Sequence, residues 1–172
     1  MNNCSHCGDI LAHETNRHIC KNCKKTFYDN PKAAVVIVLY ASDRQHLLLA
    51  RRAHDPEKGK IDFIGGFLDK GEDFEKAAYR ELYEESGLYK DDISELTYFG
   101  SFYNAYLWEG TAIPTTSVCF MAEIKNLKDL QPSDDVASIE QVHISDLPVG
   151  DAGAWLDMDS ILTLVAQRLA AM

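Results

Sequence analysis

The chain has 172 residues, 46% apolar and 26% charged, with a net charge of −10, which suits one average domain plus a small appendage. This composition excludes disordered, collagen-like and small disulfide-rich proteins. The acidic balance disfavours non-specific binding to nucleic acid, which depends on Lys and Arg neutralising phosphates. The longest apolar run, Ala33–Ala41, is too short to span a bilayer, and the polar N-terminus lacks the apolar core of a signal peptide. We therefore expect a soluble, cytoplasmic protein without a membrane partner.

Four of the five cysteines form two Cys-x-x-Cys pairs, which predict a zinc site. The pairs are Cys4/Cys7 and Cys20/Cys23, and twelve residues separate them. Two such pairs can place four thiolates tetrahedrally around one Zn²⁺, and four protein ligands leave no open position for water or substrate. The zinc is therefore expected to be structural. Disulfide bonds are the alternative, although a reducing compartment argues against them.

The segment that carries these cysteines is too short to fold by apolar burial alone, so the metal is expected to stabilise it. Residues 1–32 carry a net charge of +2, whereas the remaining 140 residues carry −12. The turn at Asp29–Pro31 is a plausible boundary. We expect a zinc ribbon over residues 1–30 and a second domain over residues 31–172.

The second domain alternates strand and helix patterns. The first helix is predicted over Phe74–Ser86 from an apolar face, and Gly87 is expected to cap it in the left-handed conformation. Strands around two helices indicate an α/β fold with a mixed sheet packed between helices. The predicted strands are Ala33–Ala41, His46–Arg52, Ile61–Ile64, Glu95–Leu107, Thr116–Ile124 and Ser138–Ile144, and a second helix covers Ile161–Ala171.

The first helix carries three carboxylates, Glu81, Glu84 and Glu85, at positions that share one face. Like charges packed this way destabilise a helix unless solvent or a divalent cation neutralises them. Carboxylate oxygens suit Mg²⁺, which commonly helps to bind substrate phosphates. A solvated acidic face is the alternative. The paired glycines Gly65-Gly66 would let the backbone approach a ligand closely.

The spacing of these residues resembles the Nudix box. The matching positions are Gly66, then Glu72 after five residues, and after seven more the segment Arg80–Leu88, which reads RELYEESGL. With the ribbon at the N-terminus, the chain is similar to ADP-ribose and NADH pyrophosphatase-like bacterial Nudix proteins. The resemblance implies an α/β/α sandwich in which the box forms a loop–helix–loop.

The resemblance also implies an activity. Such proteins hydrolyse a nucleoside diphosphate linked to another moiety, with Mg²⁺ or Mn²⁺ assisting the attack of water on the pyrophosphate. ADP-ribose, a dinucleotide and a nucleotide sugar all stay open as the small-molecule substrate. The alternative is a nucleotide-sensing binding module whose ribbon engages nucleic acid or a protein, and a role of the ribbon in a homodimer also stays open.

The resemblance also implies which residues form the site, according to their positions in the box. Glu81, Glu84, Glu85 and the carbonyl of Gly65 match the family's metal ligands, whereas Glu72 and Arg80 match residues that brace the loop and the carboxylates. The general base is expected at Asp135, with Glu109 as the second choice. Residues proposed to contact the substrate are Arg51 for phosphates, with Arg52 and Lys60 as further candidates, and, for stacking or pocket filling, Phe67, Tyr103 and Tyr106.

Overall fold

The computed structural model describes residues 2–108, 110–126, 130–148, 150, 153 and 158–172. The chain divides into two compact units, Met1–Pro31 and Lys32–Met172. Among the described residues, no helix is long and apolar enough to cross a membrane.

The N-terminal unit is a small antiparallel sheet built beside the cysteines. Its strands are β1 (Leu11–His13), β2 (Arg17–Cys20) and β3 (Thr26–Tyr28), and β2 lies in the middle. Leu11 packs with the buried Cys4 and Cys20 in a very small cluster, with Phe27 against it. So little apolar burial agrees with the expectation that this unit needs a metal to fold.

The C-terminal unit contains a seven-stranded mixed sheet and two helices. Its elements are β4 (Lys32–Tyr40), β5 (His46–Arg52), β6 (Ile61–Asp62), β7 (Ile64–Phe67), α1 (Phe74–Ser86), β8 (Thr97–Trp108), β9 (Thr111–Glu123), β10 (Val136–His143) and α2 (Met158–Ala170). The main strand order is β10-β5-β4-β9-β8, and the β4–β9 pair is parallel whereas the other pairs are antiparallel.

The sheet opens between β4 and β5. These strands pair only at Leu39–Leu48 and Tyr40–Leu47, and beyond that point β7 pairs with β4 while β6 pairs with β5. Gly65 and Gly66 of β7, which we call the glycine segment, therefore lie in the gap between two diverging strands.

Alternate residues of β4 pack against different helices, because successive side chains of a strand point to opposite faces. Val35, Ile37 and Leu39 join one cluster with Ala78 and Leu82 of α1. Val38 and Tyr40 join the other cluster, which contains apolar residues of α2. The expected sandwich of a mixed sheet between helices is confirmed.

Helix α1 has the predicted bounds, and both of its ends are capped. The carboxylate of Asp73 accepts a hydrogen bond from the Lys76 N–H at 2.9 Å. Gly87 has φ of +73° and donates its N–H to the Tyr83 carbonyl. The cap at Gly87 was predicted, whereas the cap at Asp73 was not.

Two predicted strands differ markedly from the structure, whereas the bounds of the others agree within two residues. The predicted strand Ile61–Ile64 is divided at Phe63 into β6 and β7. Strand β9 begins five residues earlier than predicted and contains Pro114. Proline is tolerated there because pairing of β9 with β4 starts only at Thr115, so Pro114 has a neighbouring strand on one side only.

Candidate active site

The glycine segment of β7 lies so close to β4 and α1 that side chains have no room. Gly65 has φ of +150°, and a Cβ on it would lie 2.1 Å from the Val35 carbonyl oxygen. A Cβ on Gly66 would lie 2.5 Å from Oε1 of Glu81. At Gly65 the obstructing atoms belong to the backbone, so only glycine permits this approach, whereas at Gly66 the obstructing atoms are the carboxylate end of the Glu81 side chain.

Arg80 is the centre of the ionic network on α1. Its Nε and Nη2 donate to the two carboxylate oxygens of Glu72 at 2.8 and 2.9 Å, and Nη2 also donates to the Phe67 carbonyl. Its Nη1 donates to Glu81 at 2.7 Å and to Glu84 at 2.9 Å. Arg80 therefore braces the glycine segment and holds two carboxylates of the helix.

Glu72 precedes the N-cap of α1 and stays ionised. The Arg80 guanidinium and the backbone N–H of Asp69 lower the pKa of Glu72 to about 2. Two guanidinium N–H groups of Arg80 bind the two oxygens of one carboxylate, and this bidentate arrangement is stronger and more directional than a single contact.

Glu81 and Glu85 are both buried, and burial governs their ionisation. Desolvation raises the pKa of Glu81, although Arg80 opposes this shift. Desolvation raises the pKa of Glu85 to about 8, against the lowering effect of the Gly65 N–H, which donates to its Oε2 at 3.0 Å. Burying an acid at this cost is expected where a cation neutralises it.

The carboxylates of Glu81, Glu84 and Glu85 fit a divalent cation by their chemistry. They supply hard oxygen donors on one face of α1, and Glu84 is exposed enough to rotate. Arg80 and Gly65 currently bind these oxygens, so they do not converge within 4.8 Å as the cysteine sulfurs do. Only one oxygen of each carboxylate is bound in this way, so the other oxygen can face a cation.

A cavity opens beside the glycine segment. Its wall includes Gly65, Gly66 and the aromatic pair Phe67 and Tyr106, whose ring centroids lie 5.4 Å apart at a steep angle. Burial raises the pKa of the Tyr106 phenol. Further residues that line this cavity are Ala34, Val36, Arg52, Asp62, Asn104, Thr115, Ser117, Asp135, Met158 and Ile161.

Of the three basic residues expected to contact phosphates, Arg52 lines this cavity, whereas Arg51 and Lys60 do not. The Nη1 of Arg52 donates to Asp62 at 3.0 Å, and its Nε donates to the Pro56 carbonyl. Arg51 instead forms two hydrogen bonds with Glu140 on the neighbouring strand, at 2.7 and 2.8 Å. Adjacent residues of a strand point to opposite faces, so the two arginines cannot share a site.

Tyr103 is also separated from the other proposed substrate contacts. It is 66% exposed, and it precedes Asn104, which lines the cavity. Strand alternation therefore turns Tyr103 away from the cavity, whereas Tyr106, two residues beyond Asn104, faces it.

The acidic loop before β10 brings Asp135 to the cavity. The Asp135 carbonyl accepts the Ala53 N–H at 2.8 Å, and its negative charge contributes to the raised pKa of Glu85. Asp134 has a positive φ and lines a different depression, next to Glu84. Glu109, the second choice for the base, lies outside the described residues.

The four cysteines of the N-terminal unit form a second candidate metal site. Their sulfurs all lie within 4.8 Å of one another, and the Cys4–Cys23 and Cys7–Cys20 pairs are 3.7 and 3.5 Å apart. Zn–S bonds of about 2.3 Å in a tetrahedron require sulfurs about 3.8 Å apart. The arrangement therefore fits Zn²⁺, and none of the five cysteines, all of them described, is in a disulfide.

The environment of Cys20 favours a thiolate. Burial raises its pKa, but hydrogen bonds from the backbone N–H groups of Cys23 and Asn22 and from the thiols of Cys23 and Cys7 outweigh this effect and lower the pKa to about 6. The Cys23 N–H lies 3.4 Å from the Cys20 sulfur. Metal ligation requires a thiolate, so this geometry suits a zinc ligand.

Comparison with known proteins agrees with this fold. The model of the NUDIX domain matches residues 30–164. An NAD-capped RNA hydrolase of Schizosaccharomyces pombe is 35% identical over 96 residues, which are 55% of this chain and 24% of that protein. A mitochondrial NAD(P)H pyrophosphatase, NUDT13 of Mus musculus, is 27% identical over 152 residues, covering 88% of this chain and 37% of that protein.

Among solved structures, a NUDIX hydrolase from Nitrosomonas europaea is similar in fold, with a TM-score of 0.70 and 22% identity over 99% of this chain and 91% of that chain. The C-terminal unit is an α/β domain in which a mixed sheet lies between two helices, and the acidic face of one helix lies against paired glycines. Since the domain model covers well over half of the chain, the chain belongs to the Nudix family. It spans only about a quarter to two fifths of the two curated relatives.

Proposed function

We propose that this chain is a hydrolase that uses Mg²⁺ or Mn²⁺ to cleave the pyrophosphate bond of a nucleoside diphosphate linked to another moiety. The observation that carries the proposal is the contact between the acidic face of α1 and the glycine segment, at the edge of a cavity with an aromatic wall. This arrangement suits phosphoryl transfer, which needs charge neutralisation and positioning more than a covalent nucleophile.

Glu81, Glu84, Glu85 and the carbonyl of Gly65 would hold the metal. When bound, divalent ions supply neutralisation of phosphate oxygens and a lowered pKa of the attacking water. Arg80 and Glu72 position the carboxylates through the network described above. Arg52 supplies positive charge at the cavity, where it can attract the substrate phosphates.

Asp135 is the proposed general base. It is exposed, it lines the same cavity as the glycine segment, and its negative charge contributes to the raised pKa of Glu85. A carboxylate in this position can accept a proton from water beside the pyrophosphate.

The N-terminal unit is proposed to be a structural zinc ribbon over residues 1–30, with the Nudix hydrolase domain over residues 31–172. Its four thiolates leave no ligand position for substrate. The expected role of zinc is therefore stability and not chemistry.

The substrate is proposed to be a small nucleotide derivative. The two relatives named above carry names that refer to NAD(P)H and to NAD-capped RNA, so dinucleotides belong in a substrate panel together with ADP-ribose and ADP-glucose. An NAD-capped RNA belongs in the panel as well, although the chain's net charge of −10 disfavours contacts to an RNA backbone.

The test is hydrolysis of this panel with Mg²⁺ or Mn²⁺, with the products separated by chromatography. Glu84→Gln and Glu85→Gln should each reduce turnover by about 100-fold or more, because each removes a negatively charged ligand without changing side-chain size. Glu75→Gln is the matched control, since Glu75 is an exposed acid in the first turn of the same helix. No turnover by folded, zinc-loaded wild type, or full turnover by the Glu85 variant, would contradict the proposal.

A further inference from the structure

Three polar side chains are buried together along one border of the cavity. Asn104 on β8 and Thr115 on β9 are directly paired, and Ser117 follows two residues later on the same face of β9. Their residues are only 8%, 5% and 6% exposed, yet all three line the cavity. We call Asn104, Thr115 and Ser117 the polar floor.

The polar floor retains unused hydrogen-bonding capacity. The Asn104 Oδ1 accepts from the Ala105 N–H at 2.8 Å. Because that partner is a donor, the oxygen must face it, so the orientation of the amide is fixed and its nitrogen points elsewhere. Across the described part of the chain, the Asn104 amide nitrogen and the Ser117 hydroxyl have no hydrogen-bond partner.

Thr115 contributes an acceptor. Its hydroxyl donates to the Ile113 carbonyl at 3.2 Å, so its lone pairs remain for a ligand. The polar floor therefore presents a donor from Asn104 beside an acceptor from Thr115, and Ser117 can act as either. Buried polar groups of this kind are normally satisfied by a partner, and here the cavity is where that partner would be.

The rest of the cavity suits a flat ring. Phe67 and Tyr106 provide an aromatic wall, and Met158 and Ile161 add apolar surface. The glycine segment in the same wall touches the carboxylates of α1. A ring on the polar floor could thus remain linked to a pyrophosphate at the acidic helix.

We infer that the polar floor recognises the edge of a planar heterocycle that carries a hydrogen-bond acceptor next to a donor, and so determines base specificity. This inference rests on the proposed function for the nucleotide character of the ligand. Adenine has such an edge in N1 and its 6-amino group, and nicotinamide has one in its carboxamide. Either half of a dinucleotide could supply this chemistry.

The test is equilibrium binding to the full chain by calorimetry, with AMP, nicotinamide mononucleotide and ribose 5-phosphate as probes. At least one mononucleotide should bind about ten-fold tighter than ribose 5-phosphate, and the tighter one identifies the ring. Asn104→Leu, similar in size but apolar, should remove about ten-fold of that affinity, and Ser117→Ala should also weaken it.

Thr116→Val is the matched control, because Thr116 lies between Thr115 and Ser117 and its side chain points to the other face of β9. If AMP is the tighter ligand, 1-deaza-AMP, which lacks the N1 acceptor, should bind wild type and Asn104→Leu equally. This equality would not be expected if the substitution merely disturbed the fold.

Two results would overturn the inference: neither mononucleotide binds tighter than ribose 5-phosphate, or Asn104→Leu binds both with wild-type affinity. Neither depends on turnover. Base-dependent binding without hydrolysis of any panel compound would instead contradict the proposed function. If Asn104→Leu hydrolyses the substrate at the wild-type rate and binds the mononucleotides with wild-type affinity, the inference is contradicted and the proposed function is not.

Discussion

The backbone N–H of Gly65 donates a hydrogen bond to Oε2 of Glu85 over 3.0 Å, which joins the glycine segment to the acidic helix twenty residues later. Gly65 also lies where a Cβ would collide with the Val35 carbonyl, so a side chain is excluded at this position. The same residue thus permits the close strand contact and binds a buried carboxylate.

Substitution of Gly65 by Ala should lower the free energy of unfolding by about 2 kcal/mol or more beyond the effect of Gly71→Ala. Both glycines have positive φ, so both variants carry backbone strain, but only at Gly65 would the new methyl group meet backbone atoms. Urea unfolding of the two variants measures the difference. Equal destabilisation would show that the backbone moves apart at little cost.

The ion pair between Glu72 and Arg80 should make stability depend on pH in the acid range. Because Arg80 lowers the pKa of Glu72 to about 2 from a usual value of 4.5, the pair stabilises the fold above pH 4.5. This contribution should disappear as the pH falls through about 2. The measurement is the difference in unfolding free energy between wild type and Glu72→Gln, in magnesium-free buffer at several pH values. A difference that grows toward low pH has the wrong sign for this account.

Cys20→Ser should remove zinc from the purified chain and unfold the N-terminal unit, because that unit has almost no apolar core apart from its cysteines. Cys119→Ala is the control, since Cys119 is buried in the sheet of the other unit. Zinc content by elemental analysis should fall below one per chain only in the first variant. Stoichiometric zinc in Cys20→Ser would contradict the four-cysteine site.

Arg52→Lys should raise KM for the substrate identified in the panel by about ten-fold, because a lysine cannot hold both Asp62 and the Pro56 carbonyl while facing the cavity. Arg51→Lys is the natural comparison. Arg51 is bound to Glu140 in a partly exposed pair, so its substitution should cost at most about 1 kcal/mol of stability and leave KM unchanged. Steady-state kinetics measures KM for both variants. A raised KM in Arg51→Lys with an unchanged KM in Arg52→Lys would contradict this assignment.

Local patterns in the sequence determined the helix and the cysteine cluster. Leu82 and Ala78 mark the buried face of α1 and Gly87 its end, because helix geometry depends on residues only a few positions apart. The two Cys-x-x-Cys pairs likewise carry their own geometry, and their sulfurs lie together in the structure. The order of Gly66, Glu72 and the RELYEESGL segment also sufficed to identify the family.

Only the tertiary structure decided which strand residues border the cavity. Adjacent residues of a strand point to opposite faces, but which of Arg51 and Arg52 faces inward depends on how β5 diverges from β4. Asn104 meets Thr115 because β8 and β9 pair in one particular register. Strand pairing joins residues that are distant along the chain, and a shift of one residue would exchange the faces of a strand. For that reason the polar floor, unlike the acidic helix, could not be recognised before the sheet was assembled.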